Sequence, residues 1–449
     1  MHNSTMRLFA FLLLVFTSAT LYAQPKQNAP YSRYGLGNPI SQFFGNQAGW
    51  GGMSAAFHDP HHLNIGNPAS FAFLRTTVLD NGLYGKSSSF QSGQENLETW
   101  SGNLAYLALG FTLRSPINEV MDKNKSPWKY GMGIAITPYT VVGYNVLTRE
   151  NIMSPAVDSV NSNYTGSGGT YRFTWSNAVR YKNTSAGINL AWQFGESIYE
   201  NNNVFYDSFP TFANTYRDQI SVSGFAWKLG VQHDHVLKYA ENDKDVATRF
   251  ITFGLSGESK HNMKTTSDIL RIRSRGQQSN GQFSNPDTLL SAIGLRRDLT
   301  IPATVTVGVM FTEVGKLRFG AEYSFIGGAA YSNEIRPETQ RNASHVQAGL
   351  EYIPNMLSFN NYTKRIRYRL GAYYRQDTRL VNGDGIDDIG LSAGFGFPLV
   401  LPRQQTSYIN TALEFGKVGA NTPIEETYFR ITLGFTMNDN SWFFKRRFE

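Results

Sequence analysis

The sequence predicts an all-β protein: a transmembrane antiparallel β-barrel of about 14 strands, plugged by its own N-terminal segment. Three observations carry this prediction. Apolar and polar residues alternate with a period of two through most of the chain after Thr76. Aromatic residues reach 14%, with 24 Tyr, 31 Phe and 42 Gly, while charged residues are only 17%, below the roughly 25% of an ordinary soluble domain. Finally, Gly49–Ala69 is rich in glycine and broken by prolines, with no helical or strand periodicity, yet it stands immediately before the first alternating segment. An irregular stretch at the mouth of an all-β chain reads as a plug.

Taken in order, the chain opens with Arg7, the apolar run Leu8 to Phe16, and small residues leading to Ala23 and Gln24. This is the layout of a secretory signal peptide over 1–23, too short for a spanning helix of about 20 residues. The plug follows over 24–74, the barrel over 75–437 and a short tail over 438–449. Mean hydropathy is −0.33, which rules out a bundle of membrane helices.

The alternating segments begin near Thr76, Asn103, Lys129, Gly169, Ser185, Ser223, Thr248, Leu299, Leu317, His345, Ile366, Gly390, Tyr408 and Thr427. In the second, Ala105, Leu107, Leu109, Phe111 and Leu113 share one face. In the last, Phe429, Ile431, Leu433 and Phe435 oppose Tyr428, Arg430, Thr432 and Gly434. A soluble sandwich also alternates, but the second face here carries Arg172, Arg180, Arg318, Glu322, Glu351, Arg367, Arg369, Glu414 and Arg430. Unpaired charges facing a soluble core are prohibitively costly. In a membrane barrel the inner face is wet and accepts them.

Connection lengths point the same way. Tyr144–Gly168, Glu196–Ile220 and Ser259–Asp298 read as long outer loops, and Lys182–Thr184, Glu313–Lys316 and Leu401–Ser407 as short inner turns. Ser115–Pro127, Asp234–Ala247 and Pro354–Arg365 are longer than an inner turn needs.

The chain has no cysteine, which excludes disulfides, thiolate metal sites and thiol nucleophiles. A net charge of +7 is modest, and no nucleic-acid-binding motif accompanies it; membrane lipid and lipopolysaccharide phosphates are the fitting anionic partners. His58, Asp59, His61 and His62 resemble metal ligands by composition, but Pro60 interrupts them and the spacing fits no known ligand pattern, so they read as solvated plug residues. Neighbouring His233 and His235 flank Asp234 on a strand, where adjacent side chains point to opposite faces. Asn382-Gly-Asp-Gly-Ile-Asp-Asp388 resembles a truncated calcium loop, although a Gly/Asp turn accounts for it without metal. Glu425-Glu426 reads as a solvated pair in a loop. No nucleophile elbow or acid pair in a catalytic context is present, so the expected protein is not an enzyme and needs no cofactor.

Several ordered motifs resemble the FadL-type outer-membrane transporters of long-chain fatty acids and other hydrophobic compounds. Gly52, Ala55 or Ala56, Asp59 and then Asn67-Pro68-Ala69 are similar to that family's N-terminal hatch. Pro138-Tyr139 and the residues to Tyr144 resemble its Pro-aromatic turn after the third strand. Leu299–Gly308, Leu317–Ser324, Arg369–Tyr374 and Leu391–Gly396 continue the match, and Tyr31-Ser-Arg-Tyr-Gly-Leu-Gly37 is similar to the variant found in the Bacteroidetes. The resemblance implies a monomer in the bacterial outer membrane, with passive uptake of a hydrophobic small molecule. Capture would occur at the outer loops, passage at the hatch and lateral release through a defect in strand three. Pro138 supplies a physical reason for that defect, because a proline cannot complete a ladder; the alternative is that the strand ends at Thr137. Related barrels also serve the type IX protein secretion system, so a non-transporting scaffold with protein partners is the second expectation. The inward arginines and glutamates either hold the hatch by hydrogen bonds and ion pairs, with Asp59 or the hatch backbone as partner, or simply solvate the lumen.

Overall fold

The computed structural model describes residues 29–113, 126–152, 157–206, 212–241, 246–277, 283–401 and 405–439. The expected signal peptide and most of the expected tail lie outside these residues. Fourteen antiparallel strands form one closed barrel. They are β1 (Thr77–Ser92), β2 (Glu95–Thr112), β3 (Trp128–Asn151), β4 (Ser159–Tyr181), β5 (Thr184–Tyr206) and β6 (Phe212–Tyr239). Next come β7 (Ala247–Glu258, resuming at His261–Gln277), β8 (Phe283–Ile301, resuming at Thr304–Glu313), β9 (Leu317–Ile326) and β10 (Ala343–Tyr352). The set ends with β11 (Arg367–Val381), β12 (Asp384–Leu401), β13 (Gln405–Val418) and β14 (Glu425–Asp439). Both pieces of β7 pair with β6, and both pieces of β8 pair with β7, so each is one wall strand with a break. Closure is made by β14 on β1, from Glu425↔Gln91 to Asp439↔Thr77. Every starting point read from the alternation falls on or beside one of these strands.

The expected long loops are a correction. The described residues of 144–168 mostly continue β3 and β4, which stay paired to Asn151↔Ser159. The described residues of 196–220 continue β5 and β6, paired to Phe205↔Phe212, and most of 259–298 is the β7–β8 hairpin. The reason lies in the side chains. Stretches such as Glu200-Asn-Asn-Asn-Val204 are polar on both faces, so they lack the contrast from which a period of two is read. The wall is consequently tall from β3 to β8 and short at β9 and β10.

Outward-facing residues form an apolar belt that includes Ile134 and Ile136 on β3, Phe173 and Trp175 on β4, Phe225, Trp227 and Leu229 on β6, and Val305, Val307 and Val309 on β8. It continues through Phe319, Leu350, Leu370, Leu391, Phe415 and Leu433 to Leu107 on β2. A soluble monomer rarely exposes apolar patches larger than a few hundred Å²; a bilayer covers this one. At the end holding the short turns, exposed Trp128, Tyr130, Tyr181, Tyr239 and Tyr352 form an aromatic rim, as membrane interfaces favour. That end is called the lower end below.

Residues 29–76 are largely buried against side chains of the wall strands. Two short helical pieces, Gly45–Ala48 and Pro68–Phe73, are their main regular structure. Lower in the lumen, Phe44, Leu63, Phe71 and Leu74 pack with Tyr106, Ala135 and Ala178 of the wall. A second apolar cluster joins Trp50, Met53 and Phe57 to Met310.

Candidate functional site

The interior segment satisfies its irregular backbone with wall side chains, as buried polar groups require. Glu322 accepts from Ser54 N (2.7 Å) and Ala55 N (2.6 Å). Gln232 Nε2 donates to Ala55 O and Phe57 O, Asn189 Nδ2 to Ile65 O, and Arg375 to Gly51 O. Asn67-Pro68-Ala69 has a local explanation. Asn67 Oδ1 caps the helical piece by accepting from Ala69 N (3.1 Å), Pro68 begins it, and Asn67 Nδ2 donates to Ala55 O (2.7 Å). Gly52 turns at φ +83°, and a β-carbon there would lie 2.5 Å from the Phe43 ring.

Asp59 sits at the centre of a buried ion network. Its Oδ2 accepts from Arg318 (2.9 Å) and Arg367 (3.0 Å). Glu351 accepts from Arg369 Nε (2.8 Å) and lies within 4 Å of Arg318 and Arg367. Tyr408 accepts from Arg367, and Asn410 from Arg369. Asn410 continues through Thr436 to Asp80, then Tyr106, whose hydroxyl accepts from Gly45 N (2.9 Å). The interior segment is thus fastened to β9, β10, β11, β13, β14, β1 and β2 by one connected set of polar contacts.

Of the plug histidines His62 is buried and His58 and His61 are half-buried, so none is the fully solvated residue that the sequence suggested. His62 Nδ1 donates to Asp59 Oδ1 (3.2 Å) and His58 Nε2 meets Asp234 Oδ1 (2.9 Å), with His58 stacked on Phe73. Burial pushes His62 down to about 4, against the opposing pull of Asp59. Burial and the nearby arginines lower His61 as well. Burial alone would raise Asp59, but Arg367, Arg318 and His62 hold it well below the usual carboxylate range. Both histidines and Asp59 therefore bind fewer protons docked than free, so docking strengthens as pH rises. The His62 contribution is complete above its ordinary value of 6.5 and lost towards about 4; the Asp59 contribution disappears only in stronger acid. Between pH 6.5 and 4 the His62 term amounts to about 3 kcal/mol. Hydrogen exchange of residues 45–74, corrected for intrinsic rates, is expected to lose roughly two orders of magnitude of protection across that window, and His62→Gln to flatten most of the dependence.

Strand three does not end at Thr137. It runs to Asn151, with a bulge between Pro138 and Thr140. Among the described residues the β2–β3 ladder holds only from Leu107↔Ile136 to Thr112↔Gly131. Above that, β2 pairs with β1 and β3 with β4, leaving a seam. Pro138 has no N–H to offer across it, and its carbonyl accepts from Gln42 Nε2 (2.9 Å). The interior segment edges β3 in place of β2: Ile40 N donates to Tyr139 O, Asn38–Pro39 pair with Val141–Thr140, and Ala29 N donates to Gly143 O. Behind the seam is a 440 Å³ cavity lined by Pro39, Ile40, Phe43, Tyr139 and Thr140, with Tyr84, Lys86, Arg375 and Arg430 on the facing walls.

The other expected residues are also inside. Arg172 pairs with Glu258 (3.0 Å) and stacks on Tyr139 at 3.9 Å. Arg180 covers Phe73, and Arg430 covers Tyr84. Asn382-Gly383 is a tight β11–β12 turn with φ of +54° and +92°, the hairpin chemistry of Asn-Gly. Its Asp387 accepts from Tyr374 (2.7 Å), and its Asp388 from Tyr428 (3.0 Å). Glu426, expected in solvent, is buried and paired with Lys86 (2.5 Å). Sequence reading missed Arg379, which donates to Tyr31 O, Gly37 O and Asn38 Oδ1 and clamps the segment at the upper end. It also missed the inward glycines: a β-carbon on Gly254 would lie 2.0 Å from Ala55 O, and one on Gly131 1.9 Å from Phe71 O.

Residues 5–449 match the family model described as BamG. Solved structures share the fold at low identity. A Pseudomonas aeruginosa FadL homologue is 12% identical with a TM-score of 0.55, covering 89% of this chain and 99% of that one. The Ralstonia pickettii toluene transporter TbuX is 14% identical (TM-score 0.51, 89% and 99% covered). The Pseudomonas putida toluene transporter TodX is 12% identical (TM-score 0.52, 90% and 99%). No curated protein matches the chain.

Proposed function

The chain belongs to the BamG family, and from the geometry of its barrel we propose that it is an outer-membrane conduit passing hydrophobic small molecules sideways between its upper cavity and the bilayer. The observation that carries this reading is the β2–β3 seam beside a ligand-sized cavity. Passage straight down the lumen would have to break the Asp59 network and undock a segment held by at least six strands. Lateral passage need only displace residues 29–42 from the β3 edge. The fold shared with FadL-type and toluene transporters supports the same reading. Pro138 and Tyr139 form the gate, Asp59 and Asn67–Ala69 fix the hatch, and the molecule moves down its gradient without cofactor or chemistry.

A second reading is a non-transporting barrel that holds partner proteins. The locked lower lumen favours it, as does the tall β3–β8 wall, whose inner apolar cluster of Val142, Tyr144, Tyr199, Ile220 and Leu299 is already packed. Native mass spectrometry of the protein released gently from detergent separates the two. A co-purifying apolar or amphipathic ligand is expected, lost in Tyr139→Arg. A stoichiometric protein partner with no small ligand would contradict the conduit.

A further inference from the structure

The lower-end connection between β10 and β11, residues 353–366, is longer than a turn requires, and its side chains are arranged for a purpose that hairpin closure does not explain. Phe359 is 96% exposed and Leu357 81% exposed. Asn355 N donates to Lys364 O (2.8 Å), closing the base of the loop. Asn355 Oδ1 accepts from Leu357 N (3.0 Å), Asn361 Oδ1 caps the Tyr362–Arg365 turn, and Tyr362 donates to Pro398 O on β12 (3.2 Å). The backbone is tied at both ends and propped sideways, with its two largest apolar side chains aimed outward.

We propose that this loop is a membrane-interface finger: Leu357 and Phe359 enter the lipid leaflet at the lower end, and Lys364 and Arg365 bind anionic headgroups. Two features select lipid as the occupant. The loop leaves the wall directly after Tyr352, a member of the aromatic rim at the edge of the apolar belt, so it continues a surface already facing the bilayer. Residues 352–366 contain no acidic residue but carry Lys364 and Arg365, with Lys316 on the adjoining turn, whose carbonyl accepts from Ile353 N (2.7 Å). Apolar tips flanked by cations are how an interfacial element binds anionic lipid.

The absence of native cysteine makes the test clean. Phe359→Cys and, separately, Leu357→Cys carry a nitroxide in the full-length protein in nanodiscs containing phosphatidylglycerol. Belt position Leu391→Cys and upper-turn position Gln91→Cys serve as lipid and water references. The expected result is that labels at 357 and 359 collide with oxygen more than with a water-soluble nickel chelate, as at 391. Adding Lys364→Glu and Arg365→Glu should shift them towards the ratio at 91. An aqueous ratio at both 357 and 359, with 391 reading lipid, would overturn the finger and leave the loop as a surface for a protein. An aqueous ratio at 391 as well would instead overturn the placement of the barrel in a bilayer, on which the inference rests; it does not rest on the conduit reading.

Discussion

Asp59→Leu is expected to undock the interior segment while leaving the barrel closed. The substitution strands Arg318 and Arg367, whose side chains are 14% and 7% exposed, opposite each other with only Glu351 between them. Removing one partner of a buried ion pair typically costs 3–5 kcal/mol, because the remaining charge has lost both its counter-ion and its water. Hydrogen exchange should therefore rise by roughly two to four orders of magnitude over residues 45–74, with β12–β14 and β1 still protected through their own ladders. Asp59→Asn keeps a hydrogen-bond acceptor of the same shape and should show a smaller effect. Unchanged exchange in Asp59→Leu would mean that the apolar contacts of Phe44, Trp50 and Phe71 fasten the segment without the ions.

Gly254→Val carries the second large effect, by a different route. The new β-carbon would stand 2.0 Å from Ala55 O and 2.6 Å from Ala56 N, well inside van der Waals contact. Ala55 cannot retreat cheaply, because Asn67 and Gln232 donate to its carbonyl and Glu322 accepts from its N–H. Overpacking a fitted site costs about 1–3 kcal/mol, and more where the obstacle is backbone. Gly257→Val, three residues on in the same strand, meets nothing closer than 3.6 Å and should behave like wild type. Equal loss of exchange protection in both variants would assign the effect to strand propensity, not to the contact with the segment.

These two variants also show what the sequence could and could not reveal. Alternation located the wall strands because burial on one face and lipid on the other force a period of two. It failed above the belt, where β5 runs through Asn201, Asn202 and Asn203 with water or other polar groups on both sides. Asp59 and the inward arginines were legible as candidates, since a charge on an inner face needs a partner. Their pairing was not, because Asp59 reaches Arg318 and Arg367 across more than 250 residues of chain. Gly254 reads simply as a small residue in a strand; its role exists only where the segment's backbone touches the wall. The histidines misled for the related reason that Gly- and Pro-rich sequence resembles a solvated loop. Here the barrel supplies the burial that the segment cannot provide for itself.

The most direct test of the central claim, that molecules leave through the seam while the lower lumen stays locked, is uptake of a fluorescent acyl probe by proteoliposomes whose interior segment is tethered to the wall. Ser54→Cys and Glu322→Cys place thiols on side chains that now meet at 3.2 Å, and a short bifunctional crosslinker joins them with no native cysteine to compete. With the tether formed, uptake is predicted to continue at the untethered rate, and Tyr139→Arg in the same background to abolish it. Loss of uptake on tethering, restored when the tether is cleaved, would place the route through the lumen and contradict the account.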